Sequence, residues 1–194
     1  MDADNKVGPD RTRLRFANAV RERFAFLGDL GFSEVESLPT IVRYRKGDLE
    51  VDVYHGRQSY EIGLGIAREG TRYSLGEIIR VTDSDAAARY RNCATTTAEG
   101  IAKGLMLLEE LAKRYGERAL RGDPEFFVTL ENLRKAWAHA YALDVLAGQL
   151  RPKADAAFRR GDYREAAEFY ERVYSCLSAT ELKKLAIAKE RAGL

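Results

Sequence analysis

Three carboxylates, Asp48, Glu50 and Asp52, recur at every second position. On a β-strand that spacing puts all three on one face, where oxygen ligands could hold a hard cation. Three residues further on, His55 opens the run His55-Gly56-Arg57-Gln58-Ser59-Tyr60-Glu61. A histidine within about 3 Å of a carboxylate or hydroxyl can move protons. His55, Glu61 and the acidic strand therefore define one alternative for function, a small hydrolase or nuclease-like enzyme. Two observations weigh against it. Arg43 and Arg45 precede the acidic series at positions that a hairpin sets opposite Asp52 and Glu50, so charge compensation needs no metal, and neither metal nor other cofactor is expected. His55 continues the inward series of Val51 and Val53, so it is expected to close the core rim and hydrogen-bond to backbone.

The remaining motifs carry less chemistry. Gly63-Leu64-Gly65-Ile66-Ala67-Arg68 lacks the third glycine of a dinucleotide-binding loop and lies within a strand pattern instead of opening a helix. Walker lysine, nucleophile-elbow, HExxH and paired-cysteine zinc patterns do not occur. Cys93 and Cys176 are far apart inside helical patterns and read as reduced, partly buried small hydrophobes. His139, beside Trp137, reads as a surface or interface residue.

The elements that position these residues begin with Val42 to Val53. A two-residue Gly47-Asp48 turn sets Tyr44 opposite Val51, Val42 opposite Val53, Arg45 opposite Glu50 and Arg43 opposite Asp52. One face is apolar and the other is a ladder of charges, so a one-residue slip would invert both. Around this hairpin the sequence predicts an amphipathic helix through Leu14, Ala17, Val20, Phe24 and Leu27, then strands over 34–38, 40–46, 49–55 and 60–67. The third turn is expected to set Val53 beside Ile62 and Asp52 near Gly63. Glycines at 63 and 65 suggest that something lies against the outer face. Residues 73–81 fit either a fifth strand or a short helix. Helix follows from Asp85 on: a long apolar stripe runs from Ala98 to Tyr115, with Gly116 at a left-handed cap position, and Asp123-Pro124-Glu125 starts the next helix.

Beyond Gly148, three shorter helices are expected, punctuated by Gly161-Asp162-Tyr163 and by the capping box Ser178-Ala179-Thr180-Glu181. The stretch from Phe158 to Tyr170, with Gly161, Tyr163, Ala166 and Tyr170 at signature positions, resembles the turn and second helix of a tetratricopeptide repeat. Pro152 is expected to truncate the first helix, Val173 stands where a small residue is usual, and Ser178 replaces the closing proline. The resemblance covers roughly one repeat where free-standing solenoids need about three, implying one hairpin docked on the preceding helices. The N-terminal order of helix, meander and helix resembles, in layout, small α+β domains of bacterial immunity-type proteins.

Composition sets the remaining bounds. The 194 residues are 45% hydrophobic, with 32 basic and 30 acidic side chains interspersed and a net charge of +2. That balance gives no electrostatic footprint for nucleic acid. No apolar run approaches the roughly 18 residues that span a bilayer, and the polar N-terminus does not read as a secretory signal, so a cytoplasmic protein is expected. The sequence therefore predicts an α+β fold: a polar leader at 1–10, an α+β domain at 11–120 built from a helix and a four-stranded antiparallel meander, and a helical extension at 121–194 with one tetratricopeptide-like hairpin. The expected function is non-enzymatic binding of a protein partner, and not of nucleic acid or membrane; the layout resemblance implies, as its concrete form, an immunity-type protein that masks a toxin. Arg43, Arg45, Glu50 and Asp52 form the expected contact surface, with His55, Arg57 and Tyr60 of the adjoining loop beside it.

Overall fold

The computed structural model describes residues 11–194, so the polar leader expected over 1–10 lies outside the described residues. The hairpin forms in the register its alternation requires. β2 (Ile41–Lys46) and β3 (Leu49–His55) pair antiparallel, with Val42 opposite Val53, Arg43 opposite Asp52, Tyr44 opposite Val51 and Arg45 opposite Glu50. β1 (Ser33–Leu38) forms the edge beside β2, with an irregularity in register between Glu34 and Glu36. β4 (Glu61–Arg68) flanks β3 on the other side.

The β3–β4 register differs from the expected one by two residues. Leu64 lies opposite Val53, Gly65 opposite Asp52 and Gly63 opposite Tyr54, because pairing continues as far as His55 and Ile62. Only 56–60 remain as loop, closed by the Gly56 N–H on the Glu61 carbonyl at 2.8 Å and by Tyr60 in the left-handed region at φ 55°. A shift of two keeps every side chain on its face, so the apolar and polar sets survive it.

Among the described residues the sheet has six strands where the sequence suggested four. β5 (Thr71–Ser74) pairs with one half of β4 and β6 (Cys93–Ala94) with the other. Strands of four and two residues are too short for alternation to register, and Cys93 accordingly lies in a strand instead of a helix. The β4–β5 turn places Glu69 and Gly70 at φ 50° and 80°, the pair of positive values of a tight hairpin turn. The ambiguous stretch 73–81 is both alternatives in succession. β5 ends at Ser74, whose hydroxyl accepts the Glu77 N–H while Glu77 accepts the Ser74 N–H at 2.8 Å, and this capping box starts α3 (Leu75–Thr82).

The expected N-terminal helix is divided into α1 (Phe16–Arg23) and α2 (Phe26–Asp29). α4 (Ser84–Arg89) follows α3, and α5 (Ala98–Tyr115) leads into α6 (Glu117–Leu120). Gly116 ends α5 at φ −90° and not in the expected left-handed conformation. Val20 and Phe24, Ile78 and Ile79, and Ile101, Leu105 and Leu108 share one core with Val42, Val51, Val53, Leu64 and Ile66 of the sheet. Full burial of each such side chain contributes about 1.5–3 kcal/mol. The helices thus take one sheet face and leave the other with its charges.

α7 (Pro124–Arg160) starts where Asp123 was expected to cap it, with the Asp123 carboxylate accepting the Glu125 and Phe126 N–H groups at 3.0 and 3.3 Å. Described residues up to Glu131 form one compact unit and Asn132–Leu194 a second, so the boundary falls within α7. Pro152 does not truncate this helix. A proline inside a helix costs about 3 kcal/mol; here Leu150 before it and Ala154 and Ala157 after it are buried, and that packing offsets the cost. α8 (Tyr163–Glu171) and α9 (Ala179–Ala192) start at the expected punctuation, the second with its capping box of Ser178 and Glu181 formed. Among the described residues no helix is long and apolar enough to cross a membrane.

In the second unit Arg151 donates twice to Glu181, at 2.6 and 2.8 Å, and Ser178 adds hydroxyl and backbone bonds at 2.6 and 2.7 Å. The Arg151 bonds foremost hold the Glu181 carboxyl down at about 2 from an ordinary 4.5. Lys184, then the Tyr170 hydroxyl, each at 2.5 Å, lower that of Asp155. Groups depressed on folding stabilise fully above the unfolded value and lose that stabilisation as pH falls through the folded one. The melting temperature of the whole chain should therefore fall between pH 4.5 and about 2, and Glu181→Gln should flatten part of the fall; identical pH profiles would show that this carboxylate contributes nothing. At the β4–β5 turn, Glu69→Asn should raise the melting temperature by about 1–3 °C, because asparagine tolerates the left-handed conformation better than glutamate.

Candidate functional site

The outer sheet face is built from alternate residues: Arg43 and Arg45 of β2, Glu50, Asp52 and Tyr54 of β3, Gly63, Gly65 and Ala67 of β4, and Arg72 of β5. Each carboxylate of the series first considered for a cation has its own arginine. Asp48 accepts from Arg68 at 3.1 Å, Glu50 from Arg45 at 2.9 Å, and Asp52 from Arg72 at 2.6 and 2.5 Å. Among the described residues no group of three or more His, Cys, Asp or Glu side chains is arranged to hold a metal ion. Arg43 keeps its expected register opposite Asp52 but takes different ionic partners, Glu36 across the β1–β2 pair and Glu50 at 3.7 Å.

The glycines of β4 explain why Arg72 takes Asp52. A Cβ on Gly63 would come within 2.3 Å of the Tyr54 hydroxyl, and one on Gly65 within 2.3 Å of the Arg72 guanidinium. What lies against the outer face is therefore the protein's own Tyr54 and Arg72, stacked with the guanidinium 5.2 Å from the ring centroid. Asp52 beneath them is 8% exposed. Its hydrogen bonds, before any longer-range charge effect, push the Arg72 guanidinium further above its ordinary value.

Two open concavities lie on this face. One of ≈ 540 Å³ is lined by Glu36, Leu38, Ile41, Arg43, Tyr54 and Arg57 among others, and one of ≈ 400 Å³ by Arg45, Glu50 and Ala67. Arg43, Asp52 and Arg72 border both. Leu38 remains 44% exposed at the apolar end. Arg57 is exposed at the rim, and its guanidinium has no acidic partner among the described residues.

His55 leaves this surface. Its side chain points to the opposite face, is 1% exposed, stacks on Phe16 at 5.7 Å and bonds through Nε2 to the Thr95 carbonyl at 2.9 Å. Nδ1 is buried and has no hydrogen-bond partner among the described residues. The ring therefore meets a backbone carbonyl and aromatic neighbours, as expected of a residue closing the core rim, and no hydrogen bond joins it to a carboxylate among the described residues. Tyr60 packs on His55 at 5.9 Å, while Arg11 covers the Tyr60 ring at 4.6 Å. The Arg11 guanidinium donates to the carbonyls of Gly56 at 2.8 Å, His55 at 3.3 Å and Arg57, fastening the loop. Cys93 and Cys176 are unpaired and partly exposed.

Sequence reasoning missed Glu36, Tyr54, Arg72, Arg11 and Thr95. A readable signal existed for Tyr54 and Arg72, since glycines on a polar face ask for a long side chain from a neighbouring strand to lie over them. Nothing in local pattern marks Arg11, 44 residues from His55, or Thr95. Comparison of the chain with protein-family models, curated proteins and solved structures finds no match.

Removing Arg72 leaves the Asp52 carboxylate largely out of water and unpaired. Arg72→Ala should cost about 1–2 kcal/mol, discounted because the arginine is partly exposed. Asp52→Asn with Arg72→Ala should cost less than the sum of the two, and additivity in a double-mutant cycle on denaturation would show the pair to be energetically idle.

Proposed function

We propose that this protein is a non-enzymatic protein-binding module that meets its partner through the outer sheet face. The observation that carries the reading is a face left open to solvent with its charged side chains already held in place by one another. Side chains fixed before encounter lose less freedom on binding, and an ordered array of both signs favours a complementary partner over others. Arg43, Arg45 and Glu50 form the centre of the contact surface, Asp52 acts from beneath it by holding Arg72, and Arg57 stands at its edge. His55 and Tyr60 act from behind by shaping the loop that presents Arg57.

The layout resemblance noted above supports a concrete form of this reading, a bacterial immunity-type protein that masks a toxin. The helices resembling a tetratricopeptide hairpin suit the same class of function. The test begins with capture of partners by the tagged chain from lysate of its source, with nuclease present, followed by titration calorimetry of the partner recovered. The expected result is one stoichiometric protein whose binding falls about tenfold or more when Arg43 and Arg45 are both changed to glutamate, with the melting temperature little altered. Full affinity in the folded double variant would remove this face from the proposal.

A further inference from the structure

At one end of the outer sheet face the charges give way to an apolar row. Leu38 lies opposite Ile41 and Ile41 opposite Tyr54, so β1, β2 and β3 each set one apolar or aromatic side chain beside the next. Leu38 is 44% exposed, and Ile41 and Tyr54 are half-buried. Two concavities meet at this leucine: the one of ≈ 540 Å³ already described, and one of ≈ 280 Å³ bordered by Arg11, Arg15, Phe16 and Pro39 among others.

The charges around the row do not cancel. Among the described residues, five arginines and two carboxylates border the two concavities. Both carboxylates are taken, Glu36 by Arg43 and Asp52 by Arg72. Arg11 donates to loop carbonyls, which carry no net charge. Arg15 and Arg57 are exposed, and among the described residues neither guanidinium has a hydrogen bond or an ion pair. Three cations without an acidic partner among the described residues thus surround an open leucine, in a chain whose whole net charge is only +2. Such a local excess of one sign favours a partner surface of the other.

We infer that this end of the face receives an acidic segment of the protein partner: an apolar side chain seats on Leu38, Ile41 and Tyr54, and flanking carboxylates meet Arg57 and Arg15. The inference deepens the reading of a protein partner given above and rests on it. A guanidinium with all its donors free takes a carboxylate through two parallel hydrogen bonds. The apolar contact supplies attraction, and the two arginines select against neutral and basic competitors. A nucleic-acid phosphate would satisfy the arginines but leave the apolar row with nothing to bury.

The probe is a fluorescein-labelled, amidated peptide, Gly-Asp-Glu-Leu-Asp-Glu-Gly, titrated with the full chain and followed by anisotropy. A dissociation constant of about 10–500 µM is expected, weakened about fivefold or more by each of Arg57→Glu, Arg15→Glu and Leu38→Ser, with the melting temperature unchanged. Replacing the peptide's leucine by serine, or its four acids by their amides, should weaken it as much. Absence of saturable binding, or binding indifferent to these changes, overturns the inference. So does tighter binding of an oligothymidine that depends on the same arginines. Peptide binding that emerges only once Asp4 and Asp10 are changed to asparagine gives the patch to the chain's own N-terminal segment and overturns it as well. A partner recovered from lysate that loses affinity for the Arg43 and Arg45 double variant, yet binds Arg15→Glu and Leu38→Ser at full strength, overturns this inference alone and leaves the sheet-face reading standing.

Discussion

A one-residue slip between β2 and β3 would drive Arg43, Arg45, Glu50 and Asp52 into the core and turn Val42, Tyr44, Val51 and Val53 to water. Burying even one unpaired charge costs more than the net stability a small domain has to spare. This prohibition holds the hairpin in place, and the rest of the first unit depends on it. With every apolar side chain of these two strands committed to one face, α1, α3 and α5 have a single surface on which to bury Val20, Ile78, Ile79 and Leu105. The opposite face, left with charges and two glycines, has no comparable reason to be covered.

The glycines then determine the relief of that uncovered face. Without side chains at 63 and 65, β4 sits low beneath its neighbours, and Tyr54 and Arg72 lie flat across it instead of standing into solvent. Arg72 so placed reaches Asp52, which frees Arg43 to pair with Glu36 on the edge strand. The pairs Glu36–Arg43 and Arg45–Glu50 each join residues opposite one another on adjacent strands, while Arg72–Asp52 runs diagonally over β4. Individually such exposed pairs contribute little to stability; jointly they fix where each guanidinium points.

Legibility in the sequence follows the range of the interaction involved. The β2–β3 register was readable because two chemically different patterns demanded the same pairing within twelve residues. The starts of α7, α8 and α9 were readable because Asp123, Asp162 and Ser178 cap through bonds to residues two or three positions away. The β3–β4 register was off by two because period-two alternation cannot distinguish a shift of two, and the deciding detail, Tyr60 in the left-handed region, has no strong residue preference behind it. β5 and β6 exist only through pairing with β4. Pro152 gave a clear local signal that packing across 30 residues overrode, with Arg151 on one side of it bound to Glu181. Of the site itself, the four residues of the charged face were legible; Arg72 was not, because its role arises only once β5 has been laid beside β4.

The irregularity at Val35 has a meaning for a sheet that keeps one face bare. Among the described residues β1 is an outermost strand, and an outermost strand with an even row of free amides and carbonyls invites a stranger's strand to join it. Here the row is broken between Glu34 and Glu36, where the register with β2 shifts, and both glutamates are tied to arginines at Arg21 and Arg43. Such a break bends the strand and increases its twist, so a straight neighbour cannot zip along it. That border of the open surface is therefore a poor template for fibrous stacking.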